Sequence, residues 1–127
     1  LNRDNIRFSC ISPYATNWSE YKFNAFNEMK VTSIIQDQAL SAIIQGKSII
    51  ISDTNLSPFS RDTWLNLAKK YNLDIEYVVF NTPFEELFYR NSSNLMAVPD
   101  HVITNQYKKF TLFLEEPLLP QVKYTVI

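Results

Sequence analysis

Glycine is almost missing from this chain: Gly46 is the only one in 127 residues. A glycine-rich phosphate loop needs glycines at fixed places ahead of its lysine. Gly46-Lys47-Ser48 imitates the end of such a loop, but the position where the earlier glycine belongs is Ser41. The local order is also wrong. Phosphate loops run from strand into helix, so that backbone N–H groups and the helix dipole meet the anion. Here an apolar helical stripe runs into a strand-like stretch, so these residues contain no intact Walker A loop. Cysteine is equally scarce. Cys10 stands alone, which excludes an internal disulfide and a cysteine-built metal site and makes a reducing compartment the default. Twelve basic residues face 13 acidic ones, a net charge of −1. No global field favours nucleic acid or a membrane, and an anionic substrate must be held by a local cluster. No apolar run approaches a membrane span, and no signal peptide is visible. The single histidine, His101, reads as a first-turn surface residue and supports no catalytic triad.

What is present is a hydrophobic content of 46%, enough for one domain with a real core. The most telling stretch is Ile49-Ile50-Ile51-Ser52-Asp53-Thr54-Asn55-Leu56-Ser57-Pro58. Its β-branched run reads as a strand buried on both faces. The run stops at Asp53, and Ser57-Pro58 then opens a helix with a serine cap and proline in the first turn. Ligands of open α/β sheets bind beyond the carboxyl ends of the strands, which is where Asp53 falls. A second acidic junction, Asn2-Arg3-Asp4-Asn5-Ile6-Arg7, lies at the start. Two such junctions suggest a phosphoryl-transfer site.

Between them, Val31, Ile34, Ile35, Ala39, Ala42 and Ile43 make one helical stripe over residues 28–45, with Gly46 as its stop. Lys47 to Ser52 is the strand. Pro58 to Tyr71 predicts a helix with Trp64, Leu65, Ala68 and Tyr71 facing inward, and Leu73 to Phe80 a second strand. Thr82-Pro83-Phe84-Glu85 matches a capping box that starts a short helix ending near Arg90. Asn91 to Met96 is irregular, and Pro99-Asp100 opens a helix carrying Ile103, Tyr107, Phe110 and Leu114 on one side. Tyr14 to Phe26 is aromatic-rich without clean period, a mixture of helix and loop. Strands alternating with helices predict an α/β fold with a three-layer parallel sheet. The chain begins at Leu1, directly on a functional-looking junction, and ends on an apolar strand-like run. It therefore reads as a fragment, a single partial domain over 1–127, with 111–127 a tail or the start of a following strand.

On spacing alone, Asp4 is either a helix cap or a carboxylate able to take a proton. Arg7 shares its face if a helix begins there, as a phosphate fork or a plain ion pair. Asp53 is a strand-end acid placed where ligands bind or the residue of an Asx turn. Thr54 and Asn55 line the same cleft or simply turn the chain. Arg90 is an exposed arginine at a helix C-terminus. The aromatics from Tyr14 to Phe26 form core or offer stacking faces for bases.

The string Ile50-Ile51-Ser52-Asp53-Thr54-Asn55-Leu56 resembles the 5′-kinase domain of bacteriophage-type polynucleotide kinases. So do Asn2-Arg3-Asp4 with Arg7, Trp64 with Ala68-Lys69, the stretch from Val79-Phe80 through Pro83 to Arg90-Asn91-Ser92, then Ala97-Val98-Pro99 and Tyr107-Lys108. The resemblance runs in order over residues 1 to about 110. It implies a P-loop kinase-like fold lacking its N-terminal strand and P-loop. The activity it implies is transfer of the γ-phosphate of ATP, with magnesium, to a 5′-hydroxyl of DNA or RNA. That is a repair activity of phage or host cytoplasm. It implies Asp4 as general base, Arg7 on a phosphate near the attacked centre, Asp53 as a Walker B-like acid supporting magnesium indirectly, and Arg90 on triphosphate oxygens. Asn91 to Met96 departs from the family pattern: it is one residue short and has no basic side chain where a further lid arginine is expected. Two other readings stand beside this one. One is a small-molecule P-loop kinase; the other is a non-catalytic, degenerate nucleotide- or nucleic-acid-binding module. All three expect the isolated chain to lack kinase activity.

Overall fold

The computed structural model describes residues 1–127, and the chain falls into two compact units, Leu1–Thr54 and Asn55–Ile127. In the first unit, α1 (Arg3–Ile6) is capped by Asn2, whose side chain accepts from the Asn5 N–H at 3.1 Å. The cap is thus Asn2 and not Asp4, which sits in the first turn. The chain continues into a π-helical turn, Arg7–Ile11, closed by Ser12 N–H donating to the Arg7 carbonyl at 2.8 Å. A 3₁₀ turn, Trp18–Glu20, lies within the aromatic-rich stretch.

The long helix α2 (Ala25–Ile44) carries the predicted stripe, with Val31, Ile35 and Ala39 fully buried. Asn24 caps its first turn by accepting from Asn27 N–H at 2.8 Å. Its last turn ends as the lone glycine predicts. Gly46 has φ 69°, its N–H reaches Ile43 O at 3.0 Å, and Lys47 N–H reaches Ala42 O at 2.9 Å. This double closure needs a left-handed residue after the helix, the conformation glycine adopts without strain. Ile6 of α1 and Tyr21 complete the buried apolar set of this unit.

Lys47 to Ser52 does not become a strand buried on both faces. Ile50 is 77% exposed, and the stretch has no regular sheet assignment. Its backbone partner is Leu1: the Leu1 amino group donates to Ile50 O at 2.6 Å, and Ser52 N–H donates to Leu1 O at 2.9 Å. That is the pattern of one parallel rung, and one rung is too little to bury an apolar triplet.

In the second unit, α3 (Pro58–Lys70) starts as predicted, with Ser57 accepting from Ser60 N–H at 3.1 Å and Pro58 in the first turn. Asn72, at φ 53°, ends it with the same double closure as Gly46. Ala68 is buried and Trp64 and Leu65 are half-buried, but Tyr71 is 39% exposed. Strand β1 (Ile75–Val79) pairs in parallel with β2 (Val122–Val126), in register from Ile75↔Val122 to Val79↔Val126. Between them lie α4 (Phe84–Ser92) and α5 (Asp100–Glu115), which pack on each other. The fold is α/β with a parallel strand pair, as the alternation predicts. The capping box at Thr82 does not form. Pro83 occupies the cap position of α4, so no side chain closes that end. No helix is long and apolar enough to cross a membrane.

Arg61 of α3 is the buried charge of this unit, 6% exposed. It donates two bonds of 2.7 Å to Glu116 and one each of 2.9 Å to the carbonyls of Asn55 and Leu56, and lies 4.8 Å from the Phe113 ring centroid. Buried guanidinium is tolerable only when its donors are met. Glu116 itself is 40% exposed, so water can replace part of what its loss removes. Glu116→Ala is expected to destabilise the unit by about 1–3 kcal/mol in urea unfolding; no change in midpoint would contradict this role for the pair.

Candidate functional site

The two acidic junctions lie side by side within the first unit. Residues 1–3 run along residues 50–53, and three contacts fix them. Leu1 forms the rung described above. Asn2 Nδ2 donates to Ser52 O at 2.6 Å, and Arg3 N–H donates to Asp53 Oδ1 at 2.8 Å. Asp53 therefore holds the first turn of α1 by accepting one of its otherwise unpaired N–H groups. Asp4 is the next residue. The structure thus puts the Asp53 carboxylate on the backbone N–H of the residue before Asp4.

Asp4 and Arg7 share a face of the helical segment, as their spacing predicts. Arg7 Nη1 donates to Asp4 Oδ1 at 2.7 Å. Asp4 is 52% exposed at its side chain, while Arg7 is only 14% exposed. One oxygen of Asp4 is oriented by the guanidinium, and the carboxylate keeps an open side toward solvent.

The residue that organises the cluster is Glu28, in the first turn of α2. It accepts from Arg7 Nε at 3.2 Å and Nη2 at 2.5 Å, from Arg3 Nη2 at 3.4 Å and from Tyr21 Oη at 2.8 Å. Arg3 also donates to Thr32 Oγ1 at 3.1 Å, one turn along α2. Burial by itself would raise the Glu28 carboxyl. The hydrogen bonds from Arg7 and Tyr21, with the charges of Arg7 and Arg3, outweigh it and hold the group below its ordinary value of 4.5. Burial pushes the Tyr21 phenol up, and its bond to Glu28 adds to that. Burial opposes the charge on Arg7, but Glu28 and Asp4 raise its pKa despite that.

Arginine has five N–H donors. Three are engaged, by the Glu28 bonds at Nε and Nη2 and the Asp4 bond at Nη1. The Tyr21 hydroxyl also lies within hydrogen-bond reach of this guanidinium, whose plane is fixed by its partners.

Sequence reasoning passed over Glu28. The signal was there: Glu28 stands three residues before Val31, in register with the buried stripe Val31, Ile35 and Ala39. An acid on the core face of a helix demands cationic partners.

The remaining sequence candidates lie elsewhere. Thr54 closes the first unit, exposed. Asn55 opens the second in the left-handed conformation, φ 48°, and its carbonyl accepts from Arg61. Arg90 belongs to the second unit; it is 66% exposed and pairs with Glu86 one turn back at 2.8 Å. The polar stretch after it is held by Asn91, whose amide donates to Val98 O at 2.8 Å and accepts from Val98 N–H at 3.0 Å. No cluster of three or more His, Cys, Asp or Glu side chains is present to cage a metal. Magnesium needs no such cage, because it keeps several waters and binds through one or two carboxylates plus substrate phosphates. Asp53, a hard oxygen donor at the end of an extended run, fits that pattern.

Residues 1–116 match the family model described as "AAA domain". The chain is 29% identical over 122 residues to a protein of Autographa californica nuclear polyhedrosis virus named "Putative bifunctional polynucleotide kinase/RNA ligase", covering 87% of this chain and 17% of that protein. It is 32% identical over 63 residues to the L-seryl-tRNA(Sec) kinase of Methanococcus maripaludis, covering 50% of this chain and 25% of that protein. The chain thus spans between a sixth and a quarter of the length of these curated relatives.

The lowered Glu28 carboxyl carries a sign. Its stabilising contribution is fully present above 4.5 and is lost as pH falls through the lower folded value. Urea midpoints measured down from neutral pH are expected to drop below that point. Glu28→Gln should flatten the drop; an unchanged acid limb in the variant would contradict the assignment.

Proposed function

The chain belongs to the AAA domain family, and from that premise we propose that it is part of an ATP-dependent polynucleotide 5′-hydroxyl kinase. The portion represented here receives the 5′ end of the acceptor strand. The observation that carries the reading is the Asp4–Arg7–Glu28 cluster. It joins a half-exposed carboxylate to a guanidinium that is fixed from behind. The polynucleotide kinase named among the relatives covers 87% of the chain and supports the same acceptor.

In this reading the 5′-hydroxyl oxygen attacks the γ-phosphorus of ATP in line. The new P–O bond forms as the bond to the β–γ bridging oxygen breaks, ADP leaves, and the hydroxyl proton passes to Asp4. Arg7 binds the phosphate next to the attacking nucleotide and so holds the hydroxyl against Asp4. Asp53 supports magnesium, which neutralises charge on the phosphates when bound. Arg90, exposed and paired with Glu86, is proposed as a phosphate-binding side chain of the second unit. The phosphate-cradling loop itself is not among these 127 residues, whose one glycine ends α2. In this proposal it comes from outside them.

A second reading has a hydroxyl other than a polynucleotide 5′ end as the acceptor. The match to a seryl-tRNA kinase over half of the chain favours it. Transfer of labelled phosphate from ATP to a 5′-hydroxyl oligonucleotide separates the two. A protein joining these residues to an upstream phosphate loop is expected to label the oligonucleotide, and Asp4→Asn to lower the rate by about a hundredfold or more. The 127 residues alone should show no transfer. Labelling of another hydroxyl substrate without any of the oligonucleotide, or full activity in Asp4→Asn, would overturn the proposal.

A further inference from the structure

Phe23 is an exposed aromatic ring of the first unit, less so than Tyr14 and Phe26, and it borders Arg7. Tyr21 is buried, and Phe8 and Trp18 are half-buried, but Phe23 is 59% exposed. It is nevertheless held in a defined attitude. Trp18 lies nearly parallel to it at 5.6 Å between centroids and 26° between planes, and Tyr21 meets it edge-on at 4.7 Å. The Arg7 guanidinium carbon stands 5.2 Å from its centroid. An oriented aromatic surface, mostly in water, therefore borders the arginine that pairs with Asp4.

We propose that Phe23 is the platform on which a nucleobase at the 5′ end of a single-stranded acceptor stacks. The inference rests on the kinase reading above and adds a residue to it. The phosphate following the first nucleoside and that nucleoside's base both lie within one nucleotide of the reacting hydroxyl. A strand with its hydroxyl at Asp4 and that phosphate on Arg7 has its terminal base within reach of the ring beside Arg7. Stacking is indifferent to base identity, because every base has a π face. Phe23 thereby supplies grip without sequence preference, in a chain whose net charge of −1 offers no general attraction for the backbone. Trp18 and Tyr21 prevent the ring from turning away, so little ordering remains to be done on binding.

The test is binding of a labelled 5′-hydroxyl single-stranded DNA oligonucleotide, measured by fluorescence anisotropy. Its twin lacks only the base of the first nucleotide. Wild type is expected to bind the complete strand more tightly than the abasic one. Phe23→Ala and Phe23→Leu should both weaken binding of the complete strand by about tenfold and leave the abasic strand unchanged, while Phe23→Trp restores the difference. Equal affinity of Phe23→Leu and wild type for the complete strand overturns the proposal. So does an equal loss by Phe23→Leu on both strands. If wild type binds and Arg7→Gln weakens it while Phe23→Leu does not, the stacking inference falls and the kinase reading stands. If wild type binds neither strand, the kinase reading falls and this inference with it.

Discussion

A carboxylate on the core face of a helix sets the order of everything near the start of this chain. Glu28 is only partly hydrated, and a charge in that position is tolerated because four donors converge on it. In satisfying Glu28, Arg7 loses its freedom to rotate, Arg3 is drawn onto α2, and Tyr21 is anchored under the aromatic cluster. Arg3 then carries its backbone N–H to Asp53. One half-buried acid thus reaches both acidic junctions, without touching either carboxylate itself.

The arrangement resembles how rigid sites are built elsewhere: a group that meets the ligand is held by a group that does not. Arg7 as a bare surface arginine would have to give up side-chain freedom on every binding event. Clamped at Nε and Nη2, its guanidinium has that cost already met. The second unit repeats the logic with a different purpose. Arg61 is bound by Glu116 and two backbone carbonyls and stands against Phe113. Those bonds tie the start of α3 to the end of α5.

Local signals were readable where one residue decides the geometry. Gly46 and the pair Ser57-Pro58 mark helix ends because only certain residues fit those backbone conformations. The stripe Val31, Ile35, Ala39 marks α2 because its period is helical. The Asp4–Arg7 pairing followed from their spacing. What failed depended on partners far along the chain. Ile49-Ile50-Ile51 has the composition of a buried strand, yet burial is conferred by neighbours, and Leu1 alone pairs with it. Thr82 has the right identity for a cap, but Pro83 takes the position. Glu28 was overlooked because its partners, at positions 3, 7 and 21, are joined to it only by the fold. Phe23 could be assigned neither to core nor to surface from sequence, since its neighbours Trp18 and Arg7 arrive from different turns.

The clamp on Arg7 is open to direct observation by nitrogen-15 NMR of the arginine side chains. The Arg7 Nε–H should exchange slowly with water, because Glu28 holds it. Titration with a nucleoside 3′-phosphate should shift the Arg7 Nη signals while leaving Nε–H in place. An Arg7 Nε–H that exchanges as fast as that of the exposed Arg90, or that is lost from Glu28 when the phosphate binds, would contradict a guanidinium pre-set by Glu28.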